Sequence, residues 1–194
     1  MADNKIYYGL DNVYVAFKTD NGYDTPIHIP GAVTFTTAAE GNQDTFYADN
    51  VPYVTFSTNG GYTGSIEMAY VPDSVLAQMF GWEIDSNGAI VENSTGTPKA
   101  FALLYQVMGD QHNRRNVFYN VTAARPGSSN STTTESTDPD TQTLELTMIP
   151  EQFTSGSGSS AVTRNVTKAS MELSDTNATA YNAFFSAVYV PTFV

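Results

Sequence analysis

The chain has no cysteine, which excludes disulfides and thiolate metal sites together and is compatible with folding in a reducing cytoplasm. Basic residues are scarce, 8 Lys and Arg against 20 Asp and Glu, for a net charge of -12. A protein that grips nucleic acid needs a basic footprint to displace phosphate counterions. The balance therefore argues against a nucleic-acid binder, although not against a surface that DNA must pass without sticking. Histidine is limited to His28 and His112, and neither stands near a nucleophile motif such as G-x-S-x-G. Gly156-Ser157-Gly158 lies in a linker, and no phosphate-cradling loop or zinc spacing is present. No apolar run approaches the ~20 residues that span a bilayer. The opening MADNKIYYGLDN lacks the basic start and apolar run of a signal peptide, so none is expected.

What the chain does have is β-forming sequence. Its 194 residues include 12 Tyr and 11 Phe, while charged residues make up only 14%. With abundant Thr, Ser and Asn, that mix suits exposed sheet better than helix. One domain is expected at this length, and a chain this size buries roughly 70% of its extended surface without a staple. Charge is unevenly placed. Residues 1–98 hold 2 bases and 12 acids, hence -10, and residues 99–194 hold 6 and 8, hence -2.

The densest signal is Thr45–Pro72. Two strand-like runs, Val51–Thr58 and Tyr62–Val71, flank Asn59-Gly60-Gly61, which supplies the positive-φ positions of a tight hairpin. A second turn is expected at Asp49-Asn50, so that Phe46–Phe56 folds back on itself. This arm carries too much aromatic surface for water, and Phe46, Tyr47, Val51, Tyr53 and Phe56 are candidates for burial by a partner. Tyr189 and Phe193, in the apolar tail Tyr189–Val194, are candidates on the same ground.

Elsewhere, Val13, Val15 and Phe17 alternate on one strand face. Thr25–Gly31 reads as an extended edge segment between prolines, Ala32–Ala38 as a strand with Val33 and Phe35 on one face, and Glu40–Asp44 as a polar loop. Val75, Leu76, Met79 and Phe80 share one side of a short helix, with Pro72 or Asp73 at its start and Gly81 at its end. Trp82–Glu92 reads as a hairpin about Asn87-Gly88. Glu83–Ile90 also matches the first eight positions of a calcium loop, but the twelfth position is Ser94 where a bidentate Glu belongs, and a plain turn is the simpler reading. Asp138-Pro139-Asp140 is read as a solvated turn. Lys99–Gly109 is a buried strand, paired with Asn116–Ala124 across a polar turn at Asp110–Arg115. That turn holds Arg114-Arg115, read as solvated or as ion-paired to a neighbouring subunit. Thr141–Ile149 alternates as a strand. Flexible loops are expected at about 126–140 and 154–161, the latter within a Gly/Ser linker at Phe153–Ala161. Tyr181, Phe184, Phe185 and Val188 define a short helix capped by Asp175, Thr176 or Asn177, which begins a C-terminal arm over about 175–194.

Taken in order, YYGLDNVYVA at Tyr7–Ala16, TPIHIPGAV at Thr25–Val33, FYADNVPYVTFSTNGGYTGSIEMAYVP at Phe46–Pro72, NGAIVEN at Asn87–Asn93, KAFALLYQVMGD at Lys99–Asp110, PDTQTLELT at Pro139–Thr147 and YNAFFSAVYVP at Tyr181–Pro191 resemble the major tail protein (tail tube protein) of long non-contractile-tailed bacteriophages and prophages of Gram-positive bacteria. The resemblance spans nearly the full length. It implies a mainly β fold, a β-sandwich or barrel with one flanking short helix, a long hairpin loop and extended terminal arms, as one tail-tube domain over 1–194. It implies hexameric rings stacked into a tube around a tape-measure protein, with tail-terminator and distal tail proteins at the ends. Double-stranded DNA would pass through without specific binding. The protein would be made in the host bacterial cytoplasm and reside in the virion. No membrane, cofactor, metal or catalytic residue is implied, and no enzymatic activity is expected. The alternatives are a non-enzymatic β-sandwich that binds carbohydrate or a cell surface, or another tail component such as a tail-completion protein.

Overall fold

A computed structural model describes residues 6–109, 111–127, 132, 140–157 and 161–193. Its strands are β1 (Tyr7–Thr19), β2 (Gly22–Tyr23), β3 (Ile27–His28), β4 (Ala32–Glu40), β5 (Gln43–Ala48), β6 (Val51–Ser57), β7 (Gly61–Met68), β8 (Glu83–Ile84), β9 (Ile90–Val91), β10 (Phe101–Gly109), β11 (Arg114–Ala123), β12 (Gln142–Ile149), β13 (Glu151–Ser155), β14 (Val162–Val166) and β15 (Lys168–Glu172). Helices α1 (Asp73–Phe80) and α2 (Ala178–Ala183) complete the set. The chain is thus mainly β, as its composition implies.

The principal sheet is antiparallel in the order β2-β1-β10-β11-β12-β7-β4, with β3 added to β1 and β15 to β11. It curls until β4 returns against β1. The alternation of β1 explains the two-sided burial. Val13, Val15 and Phe17 point into the curl with Leu103, Phe118, Leu144, Leu146 and Met148. Ala16 points outward, into a second cluster with Ala102, Leu104, Val117, Tyr119 and Phe184. Strands β10 and β11 therefore need apolar residues on both faces, which is why Lys99–Gly109 reads as a continuous run rather than an alternation.

Helix α1 closes one end of the curl with Val75, Leu76, Met79 and Phe80. Its last turn is ended by Gly81 in the left-handed conformation (φ 69°). The second layer consists of the β13–β14 ribbon, α2 and the extended tail, laid over the outer face of β1, β10 and β11.

Several local expectations change. Val33 is exposed while Phe35 packs inward, because the β4–β7 register slips between Ala32 and Thr34 and turns Val33 out. The polar loop at Glu40–Asp44 shrinks to Gly41-Asn42, since Glu40 ends β4 and Gln43 begins β5. Phe153, Thr154 and Ser155 lie in β13 rather than in a linker, and Phe153 sets its ring edge-on to Tyr119 at 4.7 Å. Arg114 and Arg115 occupy the start of β11, not a turn. Of the two expected flexible loops, 128–131, 133–139 and 158–160 lie outside the described residues.

Candidate assembly surface

The hairpin expected about Asn59-Gly60-Gly61 forms elsewhere. Strand β6 pairs with β5, with Thr45 opposite Thr55 and Phe46 opposite Val54. The turn is Asp49-Asn50, both residues at positive φ (52° and 62°), as the twist of a two-residue hairpin requires. Strand β7 instead pairs with β4 on one side and β12 on the other. Residues 32–68 are thus one long hairpin whose root lies in the sheet and whose outer half leaves it.

The junction is built from short contacts. Thr58 and Gly60 donate their amides to the carbonyls of Asn42 and Glu40 at 2.9 and 2.7 Å. The Gly61 amide donates to Asn59 Oδ1 at 3.1 Å. At Gly61 (φ 109°) an added Cβ would stand 2.1 Å from the Met148 carbonyl oxygen, so this entry into the sheet admits only glycine.

Beyond the junction neither face of the ribbon packs on the other described residues. Phe46 is 58% exposed, Tyr47 62%, Tyr53 71% and Phe56 61%, and Val51 is exposed as well. Alternation and register sort the residues. Asp44, Phe46, Val54 and Phe56 share one face, and the Thr45–Thr55 pair marks the other,. The result is an apolar stripe carrying a single carboxylate.

The other two candidates are placed differently. Tyr189 is half-buried, stacks with Phe184 at 5.9 Å, and accepts the Tyr119 hydroxyl at its carbonyl at 2.9 Å. Phe193 is half-buried, and its amide donates to Ser155 Oγ at 3.1 Å. The arm docks on its own subunit.

What pins the arm is Arg115, whose role the sequence did not suggest. Its guanidinium lies 4.0 Å from the Tyr181 ring centre and 4.8 Å from that of Phe185, and it donates to Gln106 Oε1 and the Tyr181 carbonyl. A cation between two aromatic faces is held by ring quadrupole attraction. Asn177 begins α2 through its side-chain contacts outside the helix. It accepts the Ser174 amide and donates to the Glu172 carbonyl.

Asp85, in the calcium-like turn, accepts the amides of Asn87 and Ala89 at 2.8 Å. These bonds hold its carboxyl below the usual carboxylate range, the Ala89 amide most strongly, and bind it to its own turn. Among the described residues no group of three or more His, Asp or Glu gathers, and no helix is long and apolar enough to cross a membrane. Trp82 packs against Phe80 at 4.8 Å, at the edge of the core.

A polar face lies on the outside of β12, β7 and β4. Thr34, Thr36, Thr63, Ser65, Glu67, Thr143, Glu145 and Thr147 alternate there with the inward Ile66, Leu144, Leu146 and Met148. Its register rows run Thr34–Glu67–Thr143 and Thr36–Ser65–Glu145, and Thr36 and Ser65 share a 3.0 Å hydrogen bond. The face bears carboxylates and no base.

No known family profile matches the chain, and no curated protein matches it. Among solved structures it is similar to a chain of the cryo-EM structure of the anti-feeding prophage (AFP) baseplate, 6-fold symmetrised. That likeness has 12% identity and a TM-score of 0.44, covering 88% of this chain and 97% of that one.

Proposed function

We propose that this protein is a structural component of a phage tail, and specifically the subunit of a tail tube that assembles from copies of itself. The observation that carries the reading is the bare β5–β6 ribbon. The two-stranded arm holds these aromatics in solvent, anchored by a glycine junction. Exposed apolar surface of this kind is what a protein interface covers. The order of the sequence segments that resemble major tail proteins supports the same conclusion.

On this reading the polar outer face of β12, β7 and β4 lines the lumen. Threonine and serine give DNA no cationic contact, and Glu67 and Glu145 repel a polymer carrying one charge per ~1.7 Å of axis. Ring closure would also cover β4, a nine-residue edge strand with no proline or lysine to blunt it,. Repetition of one heterologous contact then extends the assembly without limit.

The test is electron microscopy of the purified chain in negative stain. Rings or tubes are expected; a species that stays monomeric at high concentration overturns the reading. Reversing Glu67 and Glu145 to lysine is expected to leave tubes intact while slowing DNA ejection. Unchanged ejection would remove the lumen assignment alone.

A further inference from the structure

The ribbon needs a receiving surface, and charge restricts where that surface can be. Every copy carries -12, so two copies repel except where one presents local positive charge. Lys18 is occupied by Glu151 and Arg125 by Glu92, and Arg115 is enclosed by Tyr181 and Phe185. Among the other described bases, Lys99 follows the α1 end of the sheet, where its amide donates to the Gln78 carbonyl, and Arg164 is a single cation on β14 that donates to the Thr163 carbonyl. Arg114 and Lys168 are different. They lie on the same face of the adjacent strands β11 and β15, where Arg114 is opposite Glu172 and Phe118 is opposite Lys168.

Both side chains face the mouth of the curled sheet, at the end away from α1. Lys168 Nζ sits 5.1 Å from the Phe118 ring centre, and Arg114 lies over Tyr7 at 6.0 Å and 3.8 Å from Glu172. Among the described residues one carboxylate thus stands against two cations. Tyr7 donates its hydroxyl to that Glu172 and remains 40% exposed. Partial burial and the nearby Arg114 push the Lys168 ammonium below its usual range, as expected where positive charge is undercompensated. Ser170 is the polar neighbour between the two cations on β15, and its hydroxyl is already donated to Asn116. The mouth is aromatic, exposed and locally positive in an otherwise acidic protein.

The ribbon presents the complement, with Phe46, Val54 and Phe56 beside the single carboxylate of Asp44 on one face. The strand directions place ribbon and mouth at the same end of the subunit. The ribbon leaves β7 at Gly61, opposite the end that continues into α1, and β11 begins at Arg114 at that same end. On the tube reading, ribbon and mouth at the same end of the subunit let copies at one level meet, which is a contact within a ring.

We propose that the β5–β6 ribbon of one copy seats over the mouth of the next copy in the same ring, with Asp44 facing Lys168 and the Phe46–Val54–Phe56 stripe against Tyr7. This contact rests on the tube reading and specifies its lateral partner surface.

The experiment compares full-length wild type with Asp44→Lys, Lys168→Glu, Lys168→Met and the Asp44→Lys/Lys168→Glu double variant. Light scattering gives the concentration at which assembly begins, and negative-stain images show its form. Each single reversal is expected to raise that concentration on the order of ten-fold or more by setting like charges together, with Lys168→Met between them and wild type. The double variant is expected to recover to within a few-fold of wild type. Unchanged melting of the monomers shows that the variants fold; Lys168→Met, which keeps the side-chain volume, serves if the reversal does not. A double variant no better than the singles overturns the contact, as do single variants that assemble normally. Variants that still form rings but fail to stack them overturn it in favour of an axial role for the ribbon. A wild-type chain that never assembles brings down the tube reading and this contact with it.

Discussion

Two hairpins of this chain have the same backbone pairing and opposite surroundings. Strands β10 and β11 are buried on both faces along most of their length, with Phe101, Leu103, Tyr105 and Phe118 on one side and Ala102, Leu104, Val117 and Tyr119 on the other. Strands β5 and β6 are exposed on both faces, although they also carry Phe, Tyr and Val. Both ribbons are rich in β-formers. The difference lies in what flanks them. The buried hairpin has sheet neighbours β1, β12 and β15 and a second layer above it, whereas the bare one, among the described residues, has only the Gly41-Asn42 and Thr58–Gly60 junction at its root. Among the described residues nothing in the monomer covers its bare aromatics, which leaves a contact between monomers to do so.

The sharpest way to break this contrast is to truncate matched phenylalanines. Phe118 is fully buried and meets the rings of Phe35, Tyr62 and Tyr105. Phe118→Ala is expected to destabilise the monomer by about 3–5 kcal/mol in urea unfolding, while Phe56→Ala on the ribbon changes it by less than about 0.5 kcal/mol. Equal losses would mean that the ribbon packs on its own subunit.

Alkaline pH probes the buried hairpin. Burial pushes the Tyr105 hydroxyl up from 10.0 to about 12, with Arg114 opposing the shift. A folded-state value above the unfolded one means that the stabilising contribution is whole below about pH 10 and is lost as pH rises through about 12. Tyrosinate absorbance and circular dichroism recorded together are expected to show a late-ionising tyrosine whose titration accompanies loss of structure. Tyr105→Phe is expected to reduce that loss of stability, and an identical alkaline transition in the variant would assign it to other groups.

These contrasts also mark how far the sequence could be read. Helix α1 was legible because its apolar positions recur at helical spacing between Pro72 and Gly81. Strand β12 was legible because Leu144, Leu146 and Met148 alternate with polar residues, so that one period decides one face. The pairing of β6 was not legible from Asn59-Gly60-Gly61 alone. The same residues that favour a turn also suit a junction where backbone passes close to backbone, and only the register distinguishes the two. The Asp49-Asn50 turn was visible as a weaker signal and is the one the fold uses. Strands β14 and β15 carried no period that separates them from polar loop, because β15 gains its place by completing the row beside β11 where β12 turns away. Phe46, Tyr47, Val51, Tyr53 and Phe56 were legible as excess apolar surface. Tyr189 and Phe193 looked the same in sequence, but their partners Tyr119 and Ser155 are distant in the chain.

The anchor of the second layer supplies a smaller effect. Arg115→Ala removes the cation between Tyr181 and Phe185 and is expected to cost about 2 kcal/mol. The loss should be local, so hydrogen exchange is expected to rise across 178–193 and stay unchanged in β7 and β12. Uniform acceleration over the whole chain would show that the arm and the sheet unfold as one unit.

The smallest expected effect on the monomer carries the largest consequence for assembly. Tyr53 and Phe56 lie on β6 and are among the most exposed of the described aromatics. Replacing both with Ser removes apolar area that is already in water, so the melting temperature is expected to stay within the range of a stability change of about 0.5 kcal/mol. The same area, covered by a neighbour, would contribute at roughly 25 cal/mol per Å², and two such side chains in one contact are enough to stop tube growth at concentrations where wild type assembles. Circular dichroism and sedimentation on one sample separate the outcomes. A folded, non-assembling variant places β6 at an interface, global unfolding places it in the core, and unimpaired tubes leave the ribbon without an assembly role.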